Sequence, residues 1–237
     1  MNERELYDKI NSLSASFEEI DEHRKAAACQ HLLFEYGKMN DWTFANLSSN
    51  LWDSVSYLIR SSIHEESVEE AEEALKWASE GSEALKQKAK MNLGYQLVQA
   101  GMKNAEKRSG LYRRAEGLLA EIADANVMSK ATYVIAMDDR FDSLDSTEQQ
   151  RLCELTSDCV NGHLDELQLL WMDLPISYIM MKLCVMGIGR TKDDDVGYEW
   201  AKECDKRSGT TNYAEQYFKK KVFGGYKCVY SPWIKRK

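Results

Sequence analysis

Three side chains of the types that bind zinc lie close together in the second half of the sequence. They are Cys153, Cys159 and His163. On a helix, Cys159 and His163 would lie one turn apart and face the same side, whereas Cys153 would point elsewhere. A structural zinc site needs four ligands, and the neighbouring sequence supplies no fourth. We therefore interpret the cysteines as free thiols of a helical core and predict that the protein binds no metal.

Two closely spaced glycines, Gly187 and Gly189, invite comparison with a phosphate-binding loop. Such loops follow a strand and carry a third glycine, whereas these two follow an apolar helical run and have no third. Glycine also adopts the left-handed conformation that ends helices. The pair is therefore interpreted as a helix terminator, and no phosphate-binding cofactor is predicted.

The acidic and nucleophilic residues form no recognisable catalytic set. Asp138, Asp139, Asp142 and Asp145 share one segment but lack the spacing and the central glycine of a calcium loop. No serine, cysteine or lysine has a His or acidic companion in a known motif, and the chain has four histidines in all. We predict that the protein is not an enzyme.

The composition favours an all-α protein. The 237 residues include two prolines, while Ala, Leu, Glu and Lys are abundant. No apolar run approaches the roughly 20 residues of a membrane-spanning helix, and the charged N-terminus has no signal-peptide core. Six cysteines in a chain of this length do not make a disulfide scaffold. We expect a cytoplasmic protein with reduced thiols and no membrane partner.

The net charge of −8 is unevenly spread along the chain. From Glu215 to Lys237 there are seven Lys or Arg residues and one acidic residue, which leaves −14 on the rest. An acidic body disfavours nucleic-acid binding, so the basic tail is the one place where such binding could begin.

The elements that must position these residues are helices, organised around the turn that follows Gly187. Asp193 is a predicted N-cap, and Asp194 and Asp195 would lie at the positive end of the next helix dipole. Asp41, Ser67 and Ser146 are predicted caps of other helices. The predicted helices cover 3–16, 18–38, 42–64, 68–81, 85–101, 111–125, 128–138, 147–160, 163–172, 176–185, 193–206 and 212–223.

A pattern of small and large residues recurs along these helices. A small residue is followed three positions later by Trp or Leu, and an Ala on the next helix comes 12, 13 or 14 residues after that. The three copies are Ala74, Trp77 and Ala89; Ala115, Leu118 and Ala131; and Gly197, Trp200 and Ala214. Small residues allow close approach of helices and large ones fill the space between hairpins, so each hairpin would need a neighbour to bury its apolar face.

At these residues the chain resembles the Sel-one-like repeat, a relative of the tetratricopeptide repeat. Ala89, Leu93-Gly94 and Gly101 match one half of the family pattern, and Gly187, Gly189, Asp193, Gly197 and Trp200 match the other. The resemblance covers residues 68–225, with 1–67 as a degenerate repeat or cap, 226–237 as a basic aromatic tail and 163–175 as an insertion. It implies one continuous solenoid domain, an α-α superhelix of antiparallel helix hairpins.

The resemblance also implies binding rather than catalysis, with partners lying in a groove lined by the first helices of the repeats. Candidate groove residues, expected to be exposed, are Asn92, Tyr95, Gln96, Gln99 and Thr132. In related tetratricopeptide domains a Lys-Asn pair can clamp a peptide carboxylate. Asn92 stands where that Asn would fall, but Met91 replaces the Lys. The resulting hypothesis is a non-catalytic protein–protein interaction module, either an adaptor or an inhibitor of immunity type that binds another protein or peptide.

The C-terminal segment 216–237, which is called the tail from here on, supports an alternative hypothesis, because it interleaves aromatic and basic residues. Such a pattern can stack on bases and neutralise phosphates, which would make the tail a nucleic-acid binding segment. The other interpretation, which we favour, is that the aromatic residues cover the apolar face of the last hairpin. The aromatic residues in question are Tyr217, Phe218, Phe223, Tyr226, Tyr230 and Trp233, and the basic ones are Lys219, Lys220, Lys221, Lys227, Lys235, Arg236 and Lys237.

Overall fold

The structure is a computed structural model that describes residues 2–209 and 211–234, without the side chains of Phe44 and Ala45. Helices make up 74% of it, and its sheet has two strands of three residues each, which confirms the all-α prediction. Lys235, Arg236 and Lys237 of the predicted tail lie outside the described residues. Among the helices described, none is both long and apolar enough to cross a membrane.

The helices follow one another with short connections. They are α1 Glu3–Glu19, α2 His23–Met39, α3 Phe44–His64, α4 Val68–Ala78, α5 Glu83–Lys103, α6 Arg108–Leu119, α7 Val127–Asp138, α8 Ser146–Val160, α9 Leu164–Gln168, α10 Asp173–Met186, α11 Asp194–Ser208, α12 Tyr213–Tyr217 and α13 Ser231–Ile234. The strands are β1 Phe218–Lys220 and β2 Tyr226–Cys228, and a 3-10 turn covers Phe141–Ser143. The chain divides into two compact units, Met1–Arg114 and Ala115–Lys237, with the division inside α6. The repeat boundaries at 67 and 225 stay a prediction.

Two predicted caps are confirmed. The Ser67 side chain accepts a hydrogen bond from the Glu70 backbone N–H at the start of α4. Asp193 accepts from the backbone N–H groups of Asp195 and Val196 at the start of α11. All three bonds satisfy N–H groups that the first turn of a helix leaves without a partner.

Several helix starts differ from the sequence-based prediction: α2 begins at His23 and not at 18, and the starts of α8, α3 and α10 differ for local reasons. Asp145, not Ser146, caps α8, because its carboxylate and Glu148 form a reciprocal capping box. Thr43, not Asp41, occupies the N-cap position of α3. The helix α10 begins at Asp173, so that Pro175 lies in its first turn, where a missing N–H costs nothing.

In the first unit, consecutive helices are antiparallel and alternate helices are neighbours. Ser14 Oγ of α1 donates to Ala26 O of α2 at 3.1 Å, and Gln30 Nε2 donates to Asn11 Oδ1 at 2.9 Å, so the two helices run in opposite directions. Side-chain contacts between α2 and α4 join Arg24 to Glu70 and Glu73, His31 to Trp77, and Lys38 to Glu80. Contacts between α3 and α5 join Ser56 to Lys88, Ser62 to Asn92, and Glu66 to Lys103.

The small residues of the recurring pattern lie where helices meet. Ala74 and Ala89 are fully buried in the core of the first unit, and Trp77 is partly buried against the same core. In the second unit Ala131 and Gly197 are also buried, and Trp200 is partly buried in the cluster formed by α10, α11 and the C-terminal segment. The small residues are therefore buried as close helix contacts require, whereas the filling of space between repeat hairpins by Trp77 and Trp200 stays a prediction.

The second unit is built around α10, which packs against α7, α8, α9, α11 and α13. Because neighbours surround it, even Lys182 on this helix is buried. Its ammonium forms an ion pair with Asp138 at the end of α7 and lies 4.3 Å from the centroid of the Phe141 ring. Pairing of this kind is what makes a buried charge tolerable.

The helix predicted over 212–223 is wrong in its second half. α12 ends at Tyr217, and the chain then forms the antiparallel hairpin of β1 and β2. Gly224 and Gly225 turn the hairpin at φ values of 91° and 75°, which favour glycine. The carboxylates of Asp194 and Asp195 accept hydrogen bonds from the backbone N–H groups of Cys228 and Tyr226, so α11 holds the edge of β2.

The aromatic residues of the tail pack on α10 and α11. Phe218 and Trp233 are buried, and Tyr217, Tyr226 and Tyr230 are partly buried against the same cluster. Tyr198 of α11 stacks on Tyr226. Five of the six aromatic residues of the predicted tail therefore cover an apolar face, whereas Phe223 at the hairpin tip is exposed.

The close approach at Gly197 can be tested with Gly197→Ala. A Cβ there would lie 2.6 Å from Val185 Cγ2 and 3.3 Å from Phe218 Cζ. We expect a loss of about 1–3 kcal/mol in the free energy of unfolding, measured by urea denaturation. Gly117→Ala is the matched control, because open space surrounds this helical glycine, and it should stabilise the protein by about 0.5–1 kcal/mol. Equal effects of the two changes would contradict the packing at Gly197.

The covering role of the tail can be tested with Trp233→Ala. Its indole is buried against Tyr178, Tyr217 and Tyr230. Removing it should lower the free energy of unfolding by about 3 kcal/mol or more. Phe223→Ala, in the same segment but fully exposed, should leave the thermal midpoint unchanged. A small effect of Trp233→Ala would mean that the tail is not needed for the fold.

Candidate functional site

The five predicted groove residues do not form an exposed groove. Asn92, Gln96 and Thr132 are at most 2% exposed, so the expectation that they face solvent is wrong. Tyr95 and Gln99 are half-buried. Thr132 lies in the second unit and the other four lie on α5 in the first.

Internal hydrogen bonds explain why two of these polar residues are buried. Asn92 Nδ2 donates to Ser62 Oγ of α3 at 2.9 Å, and Thr132 Oγ1 donates to Met128 O one turn earlier at 2.7 Å. A paired polar group loses little on leaving water. The amide of Asn92 therefore serves the contact between α3 and α5, and it is not presented to a peptide carboxylate.

Next to Asn92, α3 and α5 present a mixed polar and aromatic surface. We call it the α3–α5 surface, and residues four apart along each helix lie on one face of it. It consists of Trp52, Asp53, Ser56, Tyr57 and Arg60 of α3 and Lys88 of α5, with Glu18 from the end of α1 beside them.

Lys88 is the central cation of the α3–α5 surface. Its Nζ donates to Ser56 Oγ at 2.8 Å and lies 5.0 Å from the centroid of the Trp52 ring. Burial lowers the pKa of Lys88 below its ordinary value, and the neighbouring Arg60 lowers it further, while Asp53 opposes the shift. Among the described residues no carboxylate forms an ion pair with this ammonium.

A second cation on the same surface is already neutralised. Arg60 forms an ion pair with Glu18 and lies 5.6 Å from the ring centroid of Tyr57. The Tyr57 hydroxyl donates to Glu18 Oε2 at 2.7 Å, and burial together with this bond raises the pKa of Tyr57 to about 12. Burial also raises the pKa of Asp53, with a further contribution from Glu18. Lys88 is thus the cation of this surface that can accept an anionic group.

The contact between Ser56 and Lys88 has the distance of a nucleophile and base pair, but its setting suits binding. Ser56 lies in the middle of α3, where backbone N–H groups are committed to helical hydrogen bonds. Acyl transfer needs free N–H donors beside the nucleophile to stabilise the oxyanion. An ammonium between a hydroxyl and an indole instead suits a carboxylate whose apolar neighbours pack on Trp52, which is exposed.

The first unit also has a groove between α2 and α4. It encloses about 300 Å³ and is lined by Arg24, Ala28, His31, Leu32, Glu35, Leu58, Glu73 and Trp77. The His31 ring stacks on Trp77 with 3.9 Å between ring centroids and 4° between planes. Burial lowers the pKa of His31, although Glu35 and other carboxylates act against this.

The glycines that were compared with a phosphate-binding loop and the cysteines that were compared with a zinc site have structural roles. Gly187 ends α10 in the left-handed conformation at φ 72°, as predicted. Cys153 and Cys159 are buried, and His163 contacts Glu166 instead of the cysteines. Within residues 2–209 and 211–234, no group of three His, Cys, Asp or Glu side chains is arranged to hold a metal ion, and the six cysteines are unpaired.

Sequence reasoning missed Lys88 and Trp52. Trp52 lies at the helical spacing of the apolar residues of α3, and that spacing does not distinguish it from the residues that face the core. Lys88 stands one helical turn before Asn92, and this spacing was the feature of the sequence that could have identified Lys88 as a candidate. Both residues acquire their role from the contact between α3 and α5, which is not encoded in either helix alone.

The partly buried stack of His31 on Trp77 predicts a pH dependence of stability. Because the folded-state pKa of His31 lies below its ordinary value of 6.5, the unfolded chain binds a proton more readily. The contribution of His31 is therefore retained above pH 6.5 and lost as the pH falls below it. Between about pH 7.5 and about pH 5.5, His31→Gln should lose less unfolding free energy than the unaltered protein.

Urea denaturation at the two pH values measures this difference. The matched control is His64→Gln, because His64 is exposed at the end of α3. At pH 7.5 it should unfold at the same urea concentration as the unaltered protein, which shows that exchanging an exposed His for Gln is by itself neutral. An unchanged pH dependence in His31→Gln would contradict the burial of the neutral imidazole.

Comparison with protein-family models, curated proteins and solved structures finds no match to this chain. The Sel-one-like assignment therefore rests on the residues quoted for it and stays a prediction. Any function must be argued from the geometry of the surfaces described above.

Proposed function

We propose that this chain is a non-catalytic, cytoplasmic protein-binding module built as a helix-hairpin repeat array. Its α3–α5 surface takes a carboxylate-bearing segment of another protein, either an acidic side chain or a chain terminus. The ammonium of Lys88 is the anchoring group, and Trp52 packs on the apolar part of the bound segment.

The arrangement of the first unit supports the repeat-array part of the proposal. Alternate helices lie side by side, which is the relation that stacked helix hairpins have in solenoid proteins. Small residues at Ala74 and Ala89 lie at the contacts between helices. Stacked hairpins present long helical faces, and repeat proteins use these faces for binding.

The binding part of the proposal rests on one observation, which is the environment of the Lys88 ammonium. Its ammonium is half-buried and hydrogen-bonded to one neutral hydroxyl, and burial has already lowered its pKa. A partly desolvated cation gains more from an anionic ligand than an exposed one, because water screens the attraction less. Tyr57 and Trp52 supply aromatic surface of the kind enriched at protein interfaces.

Charge at longer range indicates the character of the partner. Outside the last 23 residues the chain carries −14, which attracts a protein that is basic overall. A carboxylate presented by such a protein would meet Lys88 after electrostatic attraction had brought the two together. Inhibition of a basic partner, as in an immunity protein, is the version of this role that the net charge favours.

Nucleic-acid binding through the tail is the weaker alternative. Of the aromatic residues that could stack on bases, Phe218 and Trp233 are buried, and Tyr217, Tyr226 and Tyr230 are partly buried against other rings. Lys219, Lys220 and Lys221 are exposed and could contact phosphates. Phe223 is fully exposed beside the lysine triplet, but a single ring offers little of the successive stacking on which single-strand binding depends.

The proposal is tested with Lys88→Met, which removes the charge and keeps the length of the side chain. The probe is a fluorescent peptide library with free carboxylates, compared with the same peptides as C-terminal amides and with Asp and Glu replaced by Asn and Gln. Loss of a charge-assisted bond of about 1.5–3 kcal/mol corresponds to a loss of roughly 10-fold to 100-fold in affinity. Lys86→Met is the matched control on the same helix, since Lys86 pairs with Glu83 and does not reach Ser56.

The expected result is that the unaltered protein selects carboxylates over amides and that only Lys88→Met loses this selection. Equal binding by Lys88→Met and the unaltered protein would contradict the role of Lys88. Binding of single-stranded oligonucleotides with a steep salt dependence would support the tail alternative instead.

A further inference from the structure

Two large apolar side chains project from the connection between α9 and α10 in the second unit. Leu169 is 81% exposed and Trp171 is 80% exposed. They flank a turn whose neighbours Leu167 and Met172 are fully buried. The core thus buries the residues next to this pair, whereas Leu169 and Trp171 themselves remain exposed to solvent.

The backbone at Trp171 makes its exposure more unusual. Trp171 has φ 57°, in the left-handed region that bulky residues rarely adopt. Hydrogen bonds from Trp171 N to Gln168 O and from Met172 N to Leu167 O, both of 3.1 Å, hold the turn. Glycine would meet the demands of this turn with less strain and would expose no indole. The fold therefore gives no reason for tryptophan here.

A second exposed apolar pair forms the tip of the hairpin between β1 and β2. Val222 is 93% exposed and Phe223 is fully exposed. The loop is closed by a hydrogen bond of 2.9 Å from Lys221 N to Gly225 O, and Gly224 and Gly225 provide its turn. A hairpin loop normally carries polar residues or glycine, so this tip also exposes more apolar surface than its fold requires.

The two apolar pairs are bordered by opposite charges. Lys219, Lys220 and Lys221 are exposed beside Val222 and Phe223. On the α9 side, Asp165 lies 3.8 Å from the Arg207 guanidinium and Glu166 lies 3.3 Å from the His163 ring, yet their side chains are 98% and 59% exposed and so can meet a further cation. The basic tip and the acidic patch thus complement each other in charge as well as in apolar character.

The two pairs do not cover one another within one chain, because each is almost completely exposed. We propose that the chain associates with itself head to tail, so that Val222 and Phe223 of one copy pack on Leu169 and Trp171 of the next. The tip lysines then face Asp165 and Glu166 of that second copy. Different surfaces of the two copies meet, so the contact is heterologous and repeats from copy to copy unless it closes into a ring.

The size of this contact sets the expected strength. Four side chains and their charged borders make an interface smaller than the standard size of stable complexes. Association should therefore be weak, reversible and concentration-dependent. High salt should weaken it, because the exposed charges that align the two surfaces are then screened.

The test is sedimentation equilibrium of the full chain from micromolar to millimolar concentration. We expect the mean mass of the unaltered protein to rise with concentration, whereas Trp171→Ala and Phe223→Ala should each remain monomeric. An equimolar mixture of these two variants should form dimers and no larger species. Trp171→Ala keeps an intact tip and Phe223→Ala keeps an intact patch, so one productive contact remains.

Charge reversal gives an independent measurement. A chain with Lys219, Lys220 and Lys221 changed to Glu should lose association, as should a chain with Asp165 and Glu166 changed to Lys. Mixing these two chains should restore the contact, because each tip then meets a patch of opposite charge, and combining all five changes in one chain should restore it as well. Ile20→Ala, an exposed apolar residue of the first unit, is the control and should associate like the unaltered protein.

Every outcome bears on the proposal. A monomeric unaltered protein at millimolar concentration would overturn it, as would failure of the complementary variants to pair. Trp171→Gly should lose association while its thermal midpoint is equal to or above that of the unaltered protein, so loss of association cannot be ascribed to misfolding. Lys88→Met should associate normally, which keeps this inference separate from the proposed peptide-binding function.

Discussion

Close approach between helices at small residues is the constraint on which the rest of this structure depends. Ala74 and Ala89 in the first unit and Ala131 and Gly197 in the second have no side-chain volume to separate their helices. Neighbouring helices can then interlock large residues such as Trp77 around the contact. Larger residues at these positions would push the helices apart and expose the apolar faces that hold each unit together.

Close packing also decides what happens to polar side chains near the contacts. Asn92 and Ser62 are drawn into the interface of α3 and α5, where Asn92 Nδ2 donates to Ser62 Oγ while Asn92 Oδ1 is buried without a partner. Lys88, one turn away on α5, stays at the margin and bonds to Ser56, which leaves its charge without a carboxylate partner among the described residues. The same helix contact therefore produces both the buried pair and the partly buried cation to which we assign a binding role.

The second unit differs from a plain helix array at its end. Asp194 and Asp195 were expected to act on the dipole of α11, and in the structure they also hold the N–H groups of β2. This bonding fixes the hairpin against α11 and lets Phe218 reach Gly197. Because the strands are anchored at their base, the loop between them extends into solvent with Val222 and Phe223 at its tip. An acidic body and a basic hairpin thus occur within one unit.

The sequence by itself determined the features that arise within a few residues of one another. The helices, the caps at Ser67 and Asp193 and the end of α10 at Gly187 follow from local hydrogen bonding and backbone preferences. The small residues at helix contacts were also foreseen, because their recurrence is visible along the chain.

Only the tertiary structure decided which polar residues are buried, which cation remains available and where the last helix gives way to strands. The bond between Lys88 and Ser56 spans 32 residues, and that between Cys228 and Asp194 spans 34. A helical period shows that a residue lies on a given face, but whether that face meets water, another helix or a hairpin depends on contacts from distant parts of the chain. This is why Asn92 was expected at the surface and is buried, whereas Trp52, at the same helical spacing as its buried apolar neighbours, is exposed.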